Sequence, residues 1–443
     1  MQQKLSNQSV VFLGAHGQGK STIAGLIVKE LNFASPYVLE RIDCHPKVQE
    51  KPDLKYTFLM DRIRSEQKLQ HTQIFSTYHV NTTCKEYFLI NVSGQYQYIN
   101  QTQIGIAYGD IAVFVLSGVK DKYLQSLTLA SSLELQLQLC VALGKQNIIC
   151  AINDMDLVEY QQASYQFVVN DFSQLLVKYE INPYQIQFIP ISLKEAENIN
   201  KKKQNMNWYQ GPTLIEALDK IPVYDQELLA SKPLRFKKNK IKQIRSVALG
   251  KLLYGTLKKN QIVSFAPIPF KSRVKSIEIY HCFQEEGTIG QLIGVHLSEL
   301  SYKEISNGHI CSDVDNDPAQ ECASFVAKIK IMEDFKHQLK QKQYYTIHFF
   351  TKRMQCSILK IQQNLNIKNQ NEIIENPQIL RAGDIGIIEF KPIKQITLEN
   401  YIDYPQLGRI AIIENRRMIA FGIILEVKNK EIELKIKQKE PNQ

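Results

Sequence analysis

At 443 residues, 44% hydrophobic and 22% charged, the chain has the composition of a globular protein of two to four domains, which excludes a disordered one. A net charge of +10 permits a polyanionic partner, RNA or an acidic protein surface, although a lysine-rich surface of no special purpose has the same balance. Eight cysteines with no CxxC pair and nine dispersed histidines argue against a zinc site and a disulfide framework, and no apolar run is long enough to cross a bilayer.

The polar start, MQQKLSNQS, reads without a signal peptide, so a soluble cytoplasmic protein is expected. It leads into VVFLGAHGQGKSTIAGLIVKEL, Val10 to Leu31. An apolar strand is followed by a loop from Gly14 through Gly17 to Gly19, then Lys20 and Ser21, then a helix with Ile23, Leu26, Ile27 and Leu31 on one face. This is a phosphate-binding loop. Its glycines let backbone N–H groups converge on phosphate oxygens, Lys20 neutralises the outer phosphates, and the Ser21 hydroxyl can ligate Mg²⁺.

Val38 to Tyr56 is polar and short, and Tyr56 to Leu69 has helical spacing. Two antiparallel strands are expected next, ending in a loop at Ser93–Gly94. Asp110–Gly118, Asn147–Asp156 and Gln185–Ser192 read as further buried strands, with helices at Ser131–Gly144 and Pro212–Ile221. Strands alternating with helices predict an α/β domain whose mainly parallel sheet carries its ligand at the strands' C-terminal ends. From Lys232 helical periodicity gives way to short alternating segments, which predict two β-barrels, with Asn364–Ile379 as a polar loop. The expected domains are 1–228, 229–331 and 332–443. The basic runs Lys201–Lys203 and Lys237–Arg245 can contact phosphates or an acidic surface; without interleaved aromatics, a solvated loop and edge is the plainer reading.

The residues also carry a resemblance. NWYQGPTLIEALD (Asn207–Asp219) is similar to a family phrase, PWYKGPTLLEALD, and KPLR (Lys232–Arg235) opens the second domain as in that family. FAP (Phe265–Pro267), KSIEIYH (Lys275–His281), NDPAQECASFVA (Asn316–Ala327), AGD (Ala382–Asp384) and DYPQLGR (Asp403–Arg409) follow in the same order. Over nearly its whole length the chain resembles eukaryotic elongation factor 1-alpha, and more broadly the translational GTPases related to elongation factor Tu. The resemblance implies an α/β phosphate-loop GTPase domain followed by two all-β barrel domains, GTP or GDP with Mg²⁺ as cofactors, and tRNA and the ribosome as partners.

Several matched positions depart from the family's pattern. Gly14, Gly19, Lys20, Ser21 and Thr22 match, while the intervening His-Val-Asp is Ala15, His16 and Gly17. In switch I the Gly-Ile-Thr corresponds to Gln70, His71 and Thr72, where Thr72 can reach Mg²⁺ and the γ-phosphate. Switch II reads Asn91, Val92, Ser93, Gly94, Gln95 in place of DxxGH. Asn91 offers a dipole where a carboxylate is expected, so Mg²⁺ should bind more weakly. Gly94 keeps an N–H for the γ-phosphate, and Gln95 replaces the histidine that orients the attacking water, a task glutamine performs in small GTPases. The base-recognition NKxD reads Asn153, Asp154, Met155, Asp156: Asp156 can accept from the guanine N1 and N2 groups, Asn153 braces the loop, and Ser192 matches the third base-contacting loop. A polar turn after a strand is the bland alternative for this stretch. Asp154 stands where a lysine would cover the base, which should weaken nucleotide binding.

The tRNA-facing elements are altered as well. The family's glycine-rich VYKIGGIGTVPVGRV is NKIKQIRSVALGKLL here (Asn239–Leu253), and the histidines of HTAH correspond to Phe350 and Arg353, with Thr351 kept. Two functions are therefore expected in competition. One is a guanine-nucleotide-binding elongation factor with weakened hydrolysis and weakened aminoacyl-tRNA binding. The other is a pseudo-GTPase, a non-catalytic module of a microtubule or axonemal assembly in the cytoskeleton that retains the fold.

Overall fold

In a computed structural model the described residues are 6–128, 131–202, 205–223, 225–242, 247–268, 270–280, 282–298, 308–366 and 372–430. The first unit is a six-stranded sheet: β1 (Ser6–Leu13), β2 (Ser76–Asn81), β3 (Lys85–Asn91), β4 (Ile111–Ser117), β5 (Asn147–Asn153) and β6 (Gln187–Pro190), in the order β2-β3-β1-β4-β5-β6. Only β2 runs antiparallel to its neighbour. Along β1, Val11 and Leu13 point into one core and Val10 and Phe12 into another, so the sheet is covered on both faces. The strands' C-terminal ends gather the Gly14 turn, Asn91, Ser117, Asn153 and Ser192 along one crevice, the place where open α/β sheets bind ligands.

The helices of this unit are α1 (Lys20–Glu30), α2 (Pro36–Asp43), α3 (Pro46–Glu50), α4 (Leu54–Met60), α5 (Arg64–Leu69), α6 (Ile99–Tyr108), α7 (Lys120–Ser126), α8 (Leu133–Ala142), α9 (Gln162–Lys178) and α10 (Leu214–Lys220). The polar stretch after α1 is thus three short helices rather than a plain connection. The helix expected over Tyr56–Leu69 is broken at Asp61–Ile63, with Ile63 extended before α5. At α10, Pro212 falls outside the helix, and Thr213 and Glu216 close a reciprocal capping box. The longest helix, α9, was not foreseen; it buries only Val168, Phe172 and Leu176, a stripe too thin to stand out in the sequence.

The described strands between 235 and 313 and between 322 and 429 form two closed barrels. In the first, Ile262–Ala266 pairs with Phe270–Ile279 to close the ring; in the second, Tyr344–Phe349 closes on Lys352–Asn366. Three expectations change here. The strand Cys322–Ile331 pairs with Ile385–Pro392 and Arg417–Asn429, so the third unit begins by Cys322 and not at residue 332. Much of the supposed loop 364–379 is a hairpin arm, with Gln363 opposite Glu375 and Leu365 opposite Ile373. The basic run is not a solvated edge: Arg235–Lys242 is a strand inside the first barrel, and Lys237 and Lys238 are buried. Arg245 lies outside the described residues.

The three units share packing. One core cluster runs from Val11 and Phe114 through Leu253 and Tyr254 of the first barrel to Phe350, Leu407 and Met418 of the second. Polar contacts fix its borders: Lys251 Nζ on Asp110 (2.8 Å), His348 Nδ1 against Gln103 Oε1 (2.6 Å), and Met418 N donating to Gln138 Oε1 (3.0 Å). No helix among the described residues is long and apolar enough to cross a membrane.

Candidate functional site

The loop after β1 is shaped by backbone that only glycine adopts freely. Gly14, Gly17 and Gly19 have φ of 135°, 78° and 97°. At Gly14 a Cβ would meet Val115 O at 2.4 Å, and Gln136 holds the peptide from both sides, accepting from Gly14 N (2.7 Å) and donating to Gly14 O (3.3 Å). In α1 the first N–H with a partner inside the helix is that of Ile23, donating to Gly19 O (2.8 Å). The N–H groups of Lys20, Ser21 and Thr22 therefore stand at the helix N-terminus with the positive end of its dipole, an anion site by construction. The Thr22 hydroxyl points elsewhere, to Thr57 Oγ1 of α4 (3.0 Å). Lys20 is buried, donates to Ala15 O (2.7 Å), and is pushed down to about 7 by that burial, against the pull of Asp61.

Four side chains meet beside Lys20. Thr72 Oγ1 donates to Asp61 Oδ1 (3.0 Å) and lies 3.1 Å from Ser21 Oγ; Asn91 Nδ2 reaches Ser21 Oγ (2.9 Å), Asp61 Oδ1 (3.1 Å) and Thr72 Oγ1 (3.3 Å). Burial raises the Asp61 carboxyl to about 6. Asn91 Oδ1 is buried without a partner. One carboxylate, two hydroxyls and an orphaned amide oxygen form a donor set that fits a hard divalent cation such as Mg²⁺. Sequence reasoning named Ser21, Thr72 and Asn91 and missed Asp61, which the break between α4 and α5 turns inward.

Gly94 rests on the loop, where a Cβ would lie 2.5 Å from Ala15 C, His16 N and Lys20 Nζ. Its carbonyl accepts from Ser132 Oγ (2.7 Å). Gln95 borders a cavity of about 580 Å³ with His16, Lys122 and Arg416, and its Oε1 accepts from Gln97 Nε2 (2.7 Å). Thus one lone pair of the expected water-orienting amide oxygen is engaged by a neighbour. Burial and the charges of Lys20 and His71 lower the His16 pKa, so that ring is neutral beside the loop.

At the other end of the crevice Asn153 Nδ2 donates to Gln18 O (3.2 Å), and Leu193 N donates to Asn153 Oδ1 (3.3 Å), tying three loops together. Ser192 Oγ donates to Asp156 Oδ1 (2.9 Å) and also meets the Tyr160 hydroxyl. Asp154, at φ 63°, is engaged on both oxygens: Oδ2 accepts from Ser117 Oγ (2.5 Å) and Lys122 Nζ (2.7 Å), and Oδ1 accepts from Asn153 Nδ2 (3.0 Å). Its negative charge is paired with Lys122. Leu193, also unforeseen, covers Gly19, with Cδ1 2.6 Å from where a Cβ would be.

Residues 6–223 match the model of the elongation factor Tu GTP-binding domain, and residues 324–425 match the GTP-eEF1A C-terminal domain-like family. The chain belongs to the family of elongation factors Tu and 1-alpha. It is a divergent member of these translation elongation GTPases, 28% identical to elongation factor 1-alpha 1 of Euplotes crassus over 432 residues, covering 96% of the chain and 97% of that protein. With elongation factor 1-alpha of Plasmodium falciparum it shares 29% over 429 residues, 96% of each. Among solved structures the GTPase-like domain of S. cerevisiae Ski7 bound to GTP superposes with a TM-score of 0.75 at 16% identity, over 95% of this chain and 97% of that one.

Proposed function

We propose that the chain binds GTP or GDP in this crevice and hydrolyses GTP slowly. The observation that carries the reading is the joint geometry of its two ends. Gly14, Gly17, Gly19, Lys20, Ser21 and the Thr22 N–H converge at a helix N-terminus, while at the other end Asn153 ties the Gln18 and Leu193 loops together and Ser192 holds Asp156. Asp156 accepts from the guanine N1 and N2 groups, Gly94 N–H meets the terminal phosphate, and Ser21, Thr72 and Asp61 hold Mg²⁺. The metal neutralises phosphate charge when bound. Its affinity rests on Asp61 and is weaker than with a second carboxylate at residue 91. Slow turnover is supported by Gln95, which stands in place of the histidine and whose amide oxygen is partly engaged by Gln97 and not by the phosphate loop. Contacts with aminoacyl-tRNA and the ribosome persist in weakened form, since Lys237 and Lys238 are folded into the barrel and not presented to a phosphate backbone.

The test is thermal unfolding with Mg²⁺ and nucleotide. GTP or GDP at a hundred times Kd should stabilise by about 2.7 kcal/mol, and ATP should not. An unfolding midpoint indifferent to both guanine nucleotides overturns the reading. A second reading, the non-catalytic module of a microtubule or axonemal assembly, has one observation in its favour: the apolar core continuous through all three units, which suits a rigid body. Ribosome-stimulated hydrolysis at an ordinary elongation-factor rate removes it.

A further inference from the structure

Between β1 and β2 the chain makes four short helices whose charges are unevenly distributed. The segment 36–70 contains six acidic residues, Glu40, Asp43, Glu50, Asp53, Asp61 and Glu66. Three of them are engaged away from its open face. Asp43 pairs with Lys55 (2.7 Å), Asp61 with Thr72, and Glu66, which is buried, accepts from the N–H groups of Gln73 (2.8 Å) and Ile74 (3.0 Å). The cations gather instead. Arg41, Lys47, Arg62, Arg64 and Lys68, with His45, line a cavity of about 680 Å³ to which no carboxylate contributes.

Two of these side chains build the cavity. Lys47 Nζ donates to Lys68 O (2.7 Å) at the end of α5, and Arg62 Nε donates to Leu59 O (3.1 Å) with its guanidinium 4.8 Å over the Tyr78 ring. Arg41, Arg64 and Lys68 are exposed and pair with no carboxylate among the described residues. Five like charges facing one concavity repel one another unless an anion enters. The volume lies in the range of small-ligand sites, and guanidinium forks favour phosphate oxygens. No Phe, Tyr or Trp lines the cavity, and its one imidazole, His45, already packs edge-on against Phe58 at 5.0 Å, so the lining is built for charge more than for stacking a base. It shares no lining residue with the cavity beside Gly94.

We propose that this pocket binds a compact anion carrying several phosphate groups, gripped by Arg41, Arg64 and Lys68 and seated on Lys47 and Arg62. It is a second anion site, independent of the crevice at Lys20. The test is calorimetric titration of the full chain with inorganic tripolyphosphate in EDTA. The wild type should show two sites. The triple variant Arg41→Ala/Arg64→Ala/Lys68→Ala should lose one of them by roughly hundredfold or more while unfolding at the wild-type midpoint, since all three side chains are exposed. Lys20→Ala should keep that site. A control, Lys201→Ala/Lys202→Ala, removes two exposed lysines elsewhere and should leave both sites intact. Equal loss in the control reduces the effect to net charge and overturns the proposal, as does a triple variant that titrates like the wild type. A duplex RNA that displaces tripolyphosphate from the pocket assigns the phosphates to a nucleic-acid backbone; a duplex that does not assigns them to a free polyphosphate.

Discussion

The two ends of the crevice have departed from the family's residues to a similar degree, yet they are held in opposite ways. The base end is a set of braces among neutral or paired groups: Asn153 on Gln18 O, Ser192 on Asp156, and Lys122 on Asp154. The phosphate end depends on two buried ionisable groups pushed toward neutrality, Lys20 down to about 7 and Asp61 up to about 6. A braced end keeps its shape without ligand. A cluster of desolvated charges is poised to gain from phosphate and metal, because each ligand supplies the countercharge that burial removed.

The sharpest way to break the comparison is at the base end. Asp156→Ala removes two charge-assisted hydrogen bonds to guanine, and GDP affinity should fall roughly hundredfold or more with the Mg²⁺ dependence unchanged. Isothermal titration at two Mg²⁺ concentrations measures both. Asp61→Asn should do the reverse, costing about ten- to a hundredfold in Mg²⁺ affinity of the GDP-bound protein while nucleotide binding in EDTA stays near wild type. If Asp61→Asn leaves metal affinity intact, the cluster is only a packing feature. Asn91→Asp on the wild-type background should tighten Mg²⁺ and destabilise the metal-free protein, since two carboxylates would then share Asp61's pocket.

The contrast also explains which features were legible. The Gly14–Ser21 loop, the parallel sheet and the two barrels are local patterns, visible as a glycine spacing or an alternation, and the structure reproduces them. Asp61 was not legible, because nothing in LMDRIR marks its carboxylate as inward; the turn between α4 and α5 does that, and Ser21 and Asn91 meet it from distant parts of the chain. Lys237 and Lys238 misled for the same reason. A run of lysines reads as solvated, and only the barrel's pairing with Lys251 and Gly250 shows that it is enclosed. The ion pair of Asp154 was not legible either, because its partner, Lys122, comes from a helix the sequence pattern did not reveal.

The pH dependence should separate the ends more gently. Asp61 has a folded-state pKa above its unfolded value, so the native protein holds the extra proton between about 4 and 6. Metal-free stability should decline as pH rises through that window, by an amount on the order of 3 kcal/mol if Asp61 acts alone. Mg²⁺ must displace the proton, so its affinity should rise about tenfold per pH unit below about 6 and level off above. Lys20 has the opposite sign: its folded pKa lies below the unfolded one, so it subtracts stability as pH falls from 10.5 through about 7. Nucleotide phosphates should reverse this by drawing a proton onto Lys20, visible near pH 8 as proton uptake in buffers of different ionisation enthalpy.

The smallest effect belongs to Lys122→Ala. Lys122 is 37% exposed on its side chain, so its pair with Asp154 is partly screened and worth well under a buried ion pair. Removing it leaves Asp154 with only the neutral donors Ser117 and Asn153 and returns one negative charge to the rim between Gln18 and Asn153. GDP affinity should fall only a few fold, and the loss should shrink at high salt, because it acts through the field of an exposed charge and not through a broken contact. The double variant Lys122→Ala/Asp154→Ala should recover most of it. Recovery would show that the base end tolerates the absence of its usual lysine by cancelling charge, whereas a loss that persists in the double variant would mean that Lys122 itself covers the nucleotide.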